Sequence, residues 1–317
     1  MPFSMLRATL LSSIVLILCG CAEETVGLAL QLEKGSEDAY AYSYEQRLTV
    51  AGEEGQAATE MRTKLSYEWR ESAVAVAPDS VQLDLTFDSV RYEMKAESDG
   101  KVLLSDSFDS NDMEANPSLT VRGYAGMVGR GFTIQVDPVG ERLELAGYDE
   151  MLTTLIGELY NADDLRQSIA SQTFARDNSA EAMADSLAPV FSIYPAAPVR
   201  VGDEWTRRTE LTTGFPRGRQ SHFELVERKD GQCRIKVHAS IAPLEGAPVS
   251  QFGARSARTL LRGEANGELT LDEASGRILV GQLKADLEGT METLPTDQHA
   301  GYTKAIQVTT ILDIRRQ

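Results

Sequence analysis

The chain of 317 residues carries 31 Lys and Arg against 48 Asp and Glu, a formal net charge of −17. A body this acidic repels nucleic acid and anionic surfaces, which excludes a general nucleic-acid binder. Its length and its 42% hydrophobic residues allow one large core or two smaller ones, and three cysteines leave no disulfide framework to replace that core.

The first segment is an address. Arg7 is the only charge before Glu23, and Leu10 to Leu18 are apolar except for Ser12 and Ser13. That run is too short for a membrane span, which needs about 20 apolar residues. Its end, Leu18-Cys19-Gly20-Cys21, resembles the lipobox of bacterial lipoproteins. Residues 1–20 are thus predicted to be a lipoprotein signal peptide and Cys21 the lipidation site. A membrane contact through acyl chains follows, because each buried methylene contributes about 0.8 kcal/mol. Ala22, rather than Asp, after the cysteine favours the outer membrane, facing the periplasm, over retention at the inner one.

Residues 21–147 read as an N-terminal β-rich half. Tyr40, Tyr42, Tyr44, Leu48 and Val50 share one parity, and Met61, Leu65, Tyr67 and Trp69 share a face opposite charged neighbours. Val81, Leu83, Leu85 and Phe87 alternate, and then the parity changes to Val90, Tyr92 and Met94. A bulge near Asp88-Ser89 explains the change. Phe132, Ile134 and Val136 form a strand, Asp137 to Gly140 a turn, and Leu143 with Leu145 the return.

Residues 148–195 change period. Tyr148, Met151, Leu152, Leu155, Ile156, Leu159 and Tyr160 fall on one helical stripe. Asn161 with Asp163 and Asp164 starts a second helix. Asn178 with Glu181 forms a capping box for a third, which is predicted to stop before Pro189.

Residues 196–317 return to strands. One opens at Val201-Gly202-Asp203-Glu204-Trp205, and others are predicted at 233–241, 257–271, 277–291 and 303–315, with a hairpin loop at 272–276. On the 257–271 strand the small residues Gly263, Ala265 and Gly267 share the inward parity, a face for a ligand or for a docked helix. Residues 200–262 hold 12 basic against 7 acidic groups, while residues 22–150 hold 11 against 26. The basic stretch reads as solvated surface.

Chemistry-bearing constellations are thin. His222, His238 and His299 have no metal-ligand spacing. Ser98-Asp99-Gly100-Lys101 matches S-x-x-K in letters, but Asp-Gly makes it a turn rather than the helix that motif needs. The acidic segment Asp106–Glu114 lacks the glycine and spacing of a calcium loop. Cys233 alternates with Ile235, Val237 and Ala239 as part of a buried strand face. No catalytic residue, cofactor or metal is expected.

Lys34-Gly35 before the Tyr40–Tyr44 strand, Gly129 to Gly140, and Val201-Gly202-Asp203-Glu204-Trp205 together resemble a family of bacterial lipoproteins of unknown function. In architecture alone the chain is similar to periplasmic half-barrels that carry lipids or lipoproteins under a helical lid. The expected fold is mainly β (α+β): long curved antiparallel strands in two halves, barrel- or half-barrel-like, with the helical segment packed on the concave face. The expected function is a non-enzymatic module for an apolar, lipid-like ligand. The alternative is an envelope structural or protein-interaction lipoprotein with a filled core.

Overall fold

A computed structural model describes residues 25–52, 56–112, 116–246, 249–252, 255–296 and 300–317. The signal segment, Cys21 and His299 lie outside these. Four strands come first: β1 (Glu37–Val50), β2 (Thr59–Ala77), β3 (Ser80–Ser98) and β4 (Lys101–Asp109). A short helix α1 (Arg122–Met127) precedes β5 (Gly131–Val136) and β6 (Leu143–Ala146). The helical segment comprises α2 (Tyr148–Leu159), α3 (Leu165–Asp177) and α4 (Ala180–Phe191). Seven strands follow: β7 (Glu204–Leu211), β8 (Arg217–Lys229), β9 (Gln232–Pro243), β10 (Val249–Phe252), β11 (Arg255–Asp272), β12 (Ile278–Thr293) and β13 (Tyr302–Arg316).

All thirteen strands belong to one antiparallel sheet of order β6-β5-β3-β2-β1-β13-β12-β11-β9-β8-β7, with β4 paired to β3 and β10 to β11. The two β-rich halves meet where β1 pairs with β13, Tyr42 standing opposite Ile314. The sheet does not close, yet its edges approach. From the edge strand β7, Arg207 donates to the Val139 carbonyl at 3.2 Å and pairs with Glu141 at 2.7 Å, both in the turn before the other edge, β6. The bulge read from the parity change is present: Glu68 pairs with Ser89 and Trp69 with Phe87, so Asp88 is the extra residue.

Alternation gives the sheet one apolar face, and the helices cover one end of it. Tyr148, Leu152 and Leu155 of α2, Phe174 of α3, and Met183 and Leu187 of α4 share a core with Tyr42, Trp69, Phe87, Ile235 and Ile314. Tyr148 and Leu155 are fully buried, so side chains fill the space between helices and sheet. A second cluster of the same strand parity lies toward the other end: Ile241, Leu261, Leu287, Ile306 and Val308 around Phe215. The leading segment seals the helix-covered end, with Val26 bridging Val199 and Val26, Leu28, Leu30 and Leu32 all buried.

Several local expectations need correction. Ser179, not Asn178, caps α4, its hydroxyl accepting from Ala182 N at 3.2 Å. Asn178 closes α3 instead, and its side-chain amide donates to the Phe174 carbonyl at 3.0 Å. The helix also runs through Pro189 to Phe191. Proline removes one N–H near the helix end, but Ser192 N still reaches the Ala188 carbonyl at 2.8 Å, and Val190 and Phe191 are buried. The acidic segment is not all loop, because Asp106 to Asp109 finish β4.

Candidate ligand-binding site

The inner face is not apolar throughout. Between the two clusters a row of small and polar residues crosses the sheet. Ala265 on β11 stands opposite Ala285 and Ala239, Ala285 opposite Thr310, Thr310 opposite Gln46, and Gln46 opposite Thr63. Gln46, Thr63, Ala265, Ala285 and Thr310 are only half-buried. Leu261, Leu287 and Val308 on one side, and Leu269 and Leu312 on the other, are buried. The strip is therefore less covered than the packing on either side, although Ala265 and Ala285 touch the second cluster. The inner face also meets solvent at its rim, where a groove of about 540 Å³ opens between Val50, Thr59, Ser98 and Lys304.

Gly263, Ala265 and Gly267 belong to this region. A Cβ at Gly263 would come within 2.1 Å of the Asp286 carbonyl oxygen, and one at Gly267 within 2.0 Å of that of Gln282. Both glycines are thus required by the close approach of β12, whose Leu287 and Leu283 lean over them. The sheet's curvature, not a helix, explains this spacing. Ala265 packs on the second cluster, whose described members include no helix residue.

Sequence reasoning missed the most unusual feature here. Arg217 and Arg219 on β8 share the inward parity of Ser221, Phe223 and Leu225, which are buried. Their Nε atoms are shielded from water and have no hydrogen-bond partner. Arg217 Nη1 donates to the Phe215 carbonyl at 2.7 Å. Among the described residues neither arginine has an ion-pair partner. Burial pushes the Arg219 guanidinium down to about 10, and the Arg217 charge beside it acts in the same direction. Burial lowers Arg217 likewise. Asp185 on α4 is the carboxylate they feel, but its Oδ2 accepts from Thr212 N, Thr213 N and Thr213 Oγ1 at 2.7–3.1 Å. Arg217 also acts on the Tyr44 hydroxyl. Four strands separate β1 from β8 in the sheet, so this interaction crosses the interior and measures how tightly the sheet curls. The signal was available in the sequence as parity with Phe223, but the basic stretch reads as surface.

The other candidates carry less. Cys233 is buried, and burial pushes its thiol up to about 11, away from nucleophilic use. Asp99 and Gly100 form the left-handed turn between β3 and β4, so Ser98 and Lys101 do not share a helix turn. On the outer face His222 stands opposite His238 across β8 and β9, beside a groove of about 580 Å³. His238 Nδ1 lies 2.8 Å from Asn266 Oδ1, and His222 Nδ1 lies 3.3 Å from Thr206 Oγ1. No group of three His, Cys, Asp or Glu able to hold a metal occurs among the described residues.

Residues 78–278 match a family described only as one of unknown function, DUF6263. The chain belongs to the DUF6263 family. The DUF6263 match runs from the turn after β2 to the first residue of β12 and includes Arg217, Arg219 and the Gly263–Gly267 stretch. No curated protein matches. Among solved structures, lipovitellin is 6% identical over 90% of this chain with a TM-score of 0.48, and the chain spans 25% of the lipovitellin chain's length. OmpF of Salmonella typhi, solved in complex with daunomycin, is 9% identical over 90% of this chain and 99% of its own, with a TM-score of 0.19. DynF, from the dynemicin biosynthesis pathway of Micromonospora chersina, is 8% identical over 96% and 91% of the two chains, with a TM-score of 0.15.

Proposed function

We propose that this protein is an exported, lipid-anchored binding module that holds an apolar, lipid-like ligand on the inner face of its sheet. The anchor rests on the signal segment and Cys21, and Ala22 after the cysteine favours the outer membrane, facing the periplasm. The single observation that supports the binding role is the half-buried strip across the inner face between its two apolar clusters. Leu48, Val50, Met61, Leu65 and Met94 continue that inner face on β1, β2 and β3, each half-buried. A curved sheet with this strip between apolar clusters suits a largely apolar ligand, since the polar groups along it pair with one another, Gln46 Nε2 donating to Tyr44 Oη at 2.6 Å. The helices cover a filled core, so the ligand lies beside them rather than beneath them. The role needs no catalytic group, and we assign none.

Native mass spectrometry of protein purified from its own host tests the proposal. A co-purifying lipid-sized mass that organic extraction removes is the expected result. Protein that carries no such mass, and takes up none from lipid vesicles, would overturn it.

A second reading, an envelope interaction protein with a filled core, is favoured by exposed apolar residues elsewhere. Leu165 and Ile169 stand out on α3, and Leu103 and Val102 on β4.

A further inference from the structure

Resting on the binding role above, we propose that Arg217 and Arg219 form a headgroup site, which takes the carboxylate or phosphate of an amphipathic anion whose chain lies along the inner face.

Two cations stand two residues apart on one strand, on the side that faces the interior. Their Nε donors are out of contact with water and unpaired. Like charges so placed repel each other, and a buried donor left unmade is costly, so a structural role would call for a carboxylate between them. Nearby Asp185 is committed to the backbone and hydroxyl of Thr212 and Thr213. An anion would satisfy both guanidinium groups through charge-assisted hydrogen bonds, for which their fixed donor forks are suited.

The surroundings give the rest of the ligand. Arg219 pairs in register with Ile241, and Ile241 with Gly263, so the cationic pair borders the second apolar cluster. Leu48, Val50, Ile306 and Val308 carry that cluster toward the open rim at Val50. A charged head at the arginines and an apolar chain along these residues matches a fatty acid or an acyl phosphate ester. The chain as a whole is strongly acidic, so a free anion arriving from solution meets net repulsion, and an attached acyl chain supplies the attraction.

The experiment is calorimetric titration of the full chain with oleate, lysophosphatidate, oleyl alcohol and inorganic phosphate, each repeated on R217Q/R219Q. Oleate or lysophosphatidate is expected to bind, and the double variant to weaken that binding on the order of tenfold or more, the equivalent of one lost charge-assisted bond. Preference between the two anions tells which headgroup the site takes. The variant should bind oleyl alcohol as the parent does, and its ligand-free melting temperature should equal or exceed the parent's. Unchanged affinity for both lipid anions in the variant would overturn the headgroup site while leaving the binding role intact. So would a lowered melting temperature with loss of oleyl alcohol binding, which would make the arginines structural. Inorganic phosphate bound as tightly as lysophosphatidate would also overturn it, in favour of a free-anion site. A parent protein that binds none of the three lipids would overturn the binding role itself.

Discussion

Arg277 and Glu71 form an ion pair sealed from water, their side chains 2% and 5% exposed. The same guanidinium reaches Asp38 through Nε at 2.8 Å, and Arg316 closes the network on Asp38. The cluster ties the start of β12 to β1 and β2, whose strands it does not otherwise touch in the sheet order.

Removing one member should leave a buried carboxylate uncompensated. Arg277→Met is expected to cost about 3–5 kcal/mol near pH 8, measured by urea unfolding. The cost should shrink toward pH 5, where Glu71 can take up a proton. Arg277→Met/Glu71→Leu should recover part of it. A single variant as stable as the parent at pH 8 would mean that the pair contributes nothing to the fold.

Glu71 also sets a pH dependence. Burial pushes its carboxyl up from 4.5 to about 7, the Arg277 charge opposing. A carboxyl raised in the folded state binds more protons there than in the unfolded chain. Its contribution is therefore fully present below about pH 4.5 and is lost as pH rises through about 7. The stability of the parent relative to Glu71→Gln should fall across that window. A relative stability that rises with pH would refute the assignment.

Leu155 is fully buried where α2 meets the sheet. Leu155→Ala should destabilise the fold by about 2–5 kcal/mol. Because the helices cover packed side chains, the release rate of a bound lipid should change little. Faster release with an unchanged melting temperature would instead make α2 a lid.

Cys21→Ser should yield an unacylated precursor. Metabolic labelling with a fatty-acid analogue reads this directly, and label retained by the variant would remove the anchor from the proposal.

Much of the fold was legible because side-chain parity in long strands reports burial directly. The bulge at Asp88 and the hairpin at 272–276 follow from parity and turn residues alone. Trp69 is buried as its face implies, whereas Trp205 is half-buried, stacked on Phe223 at 5.5 Å with Nε1 donating to the Ile193 carbonyl. Short elements such as α1 and β4 escaped, since the six residues of α1, with Gly123, Ala125 and Gly126 among them, are too few to show a period, and β4 is an exposed strand. Register was the larger gap. Nothing local says that β1 seeks β13, and only that pairing places Gln46, Thr310 and Ala265 in one row. The arginines carried a parity signal that their charge masked.

The adjacency of β1 and β13 has a consequence for how the chain folds. The strand latest in chain order, β13, occupies the middle of the sheet, so β1 finds its second partner only after β13 has been made. Contacts of such sequence separation make folding slow, and until they form, β1 and β12 each present an open edge to any other extended chain. Each half can gather its own meander, but the interior is enclosed only when β13 enters between them. A chain that stops short of Tyr302 would therefore have two half-sheets and no common inner face.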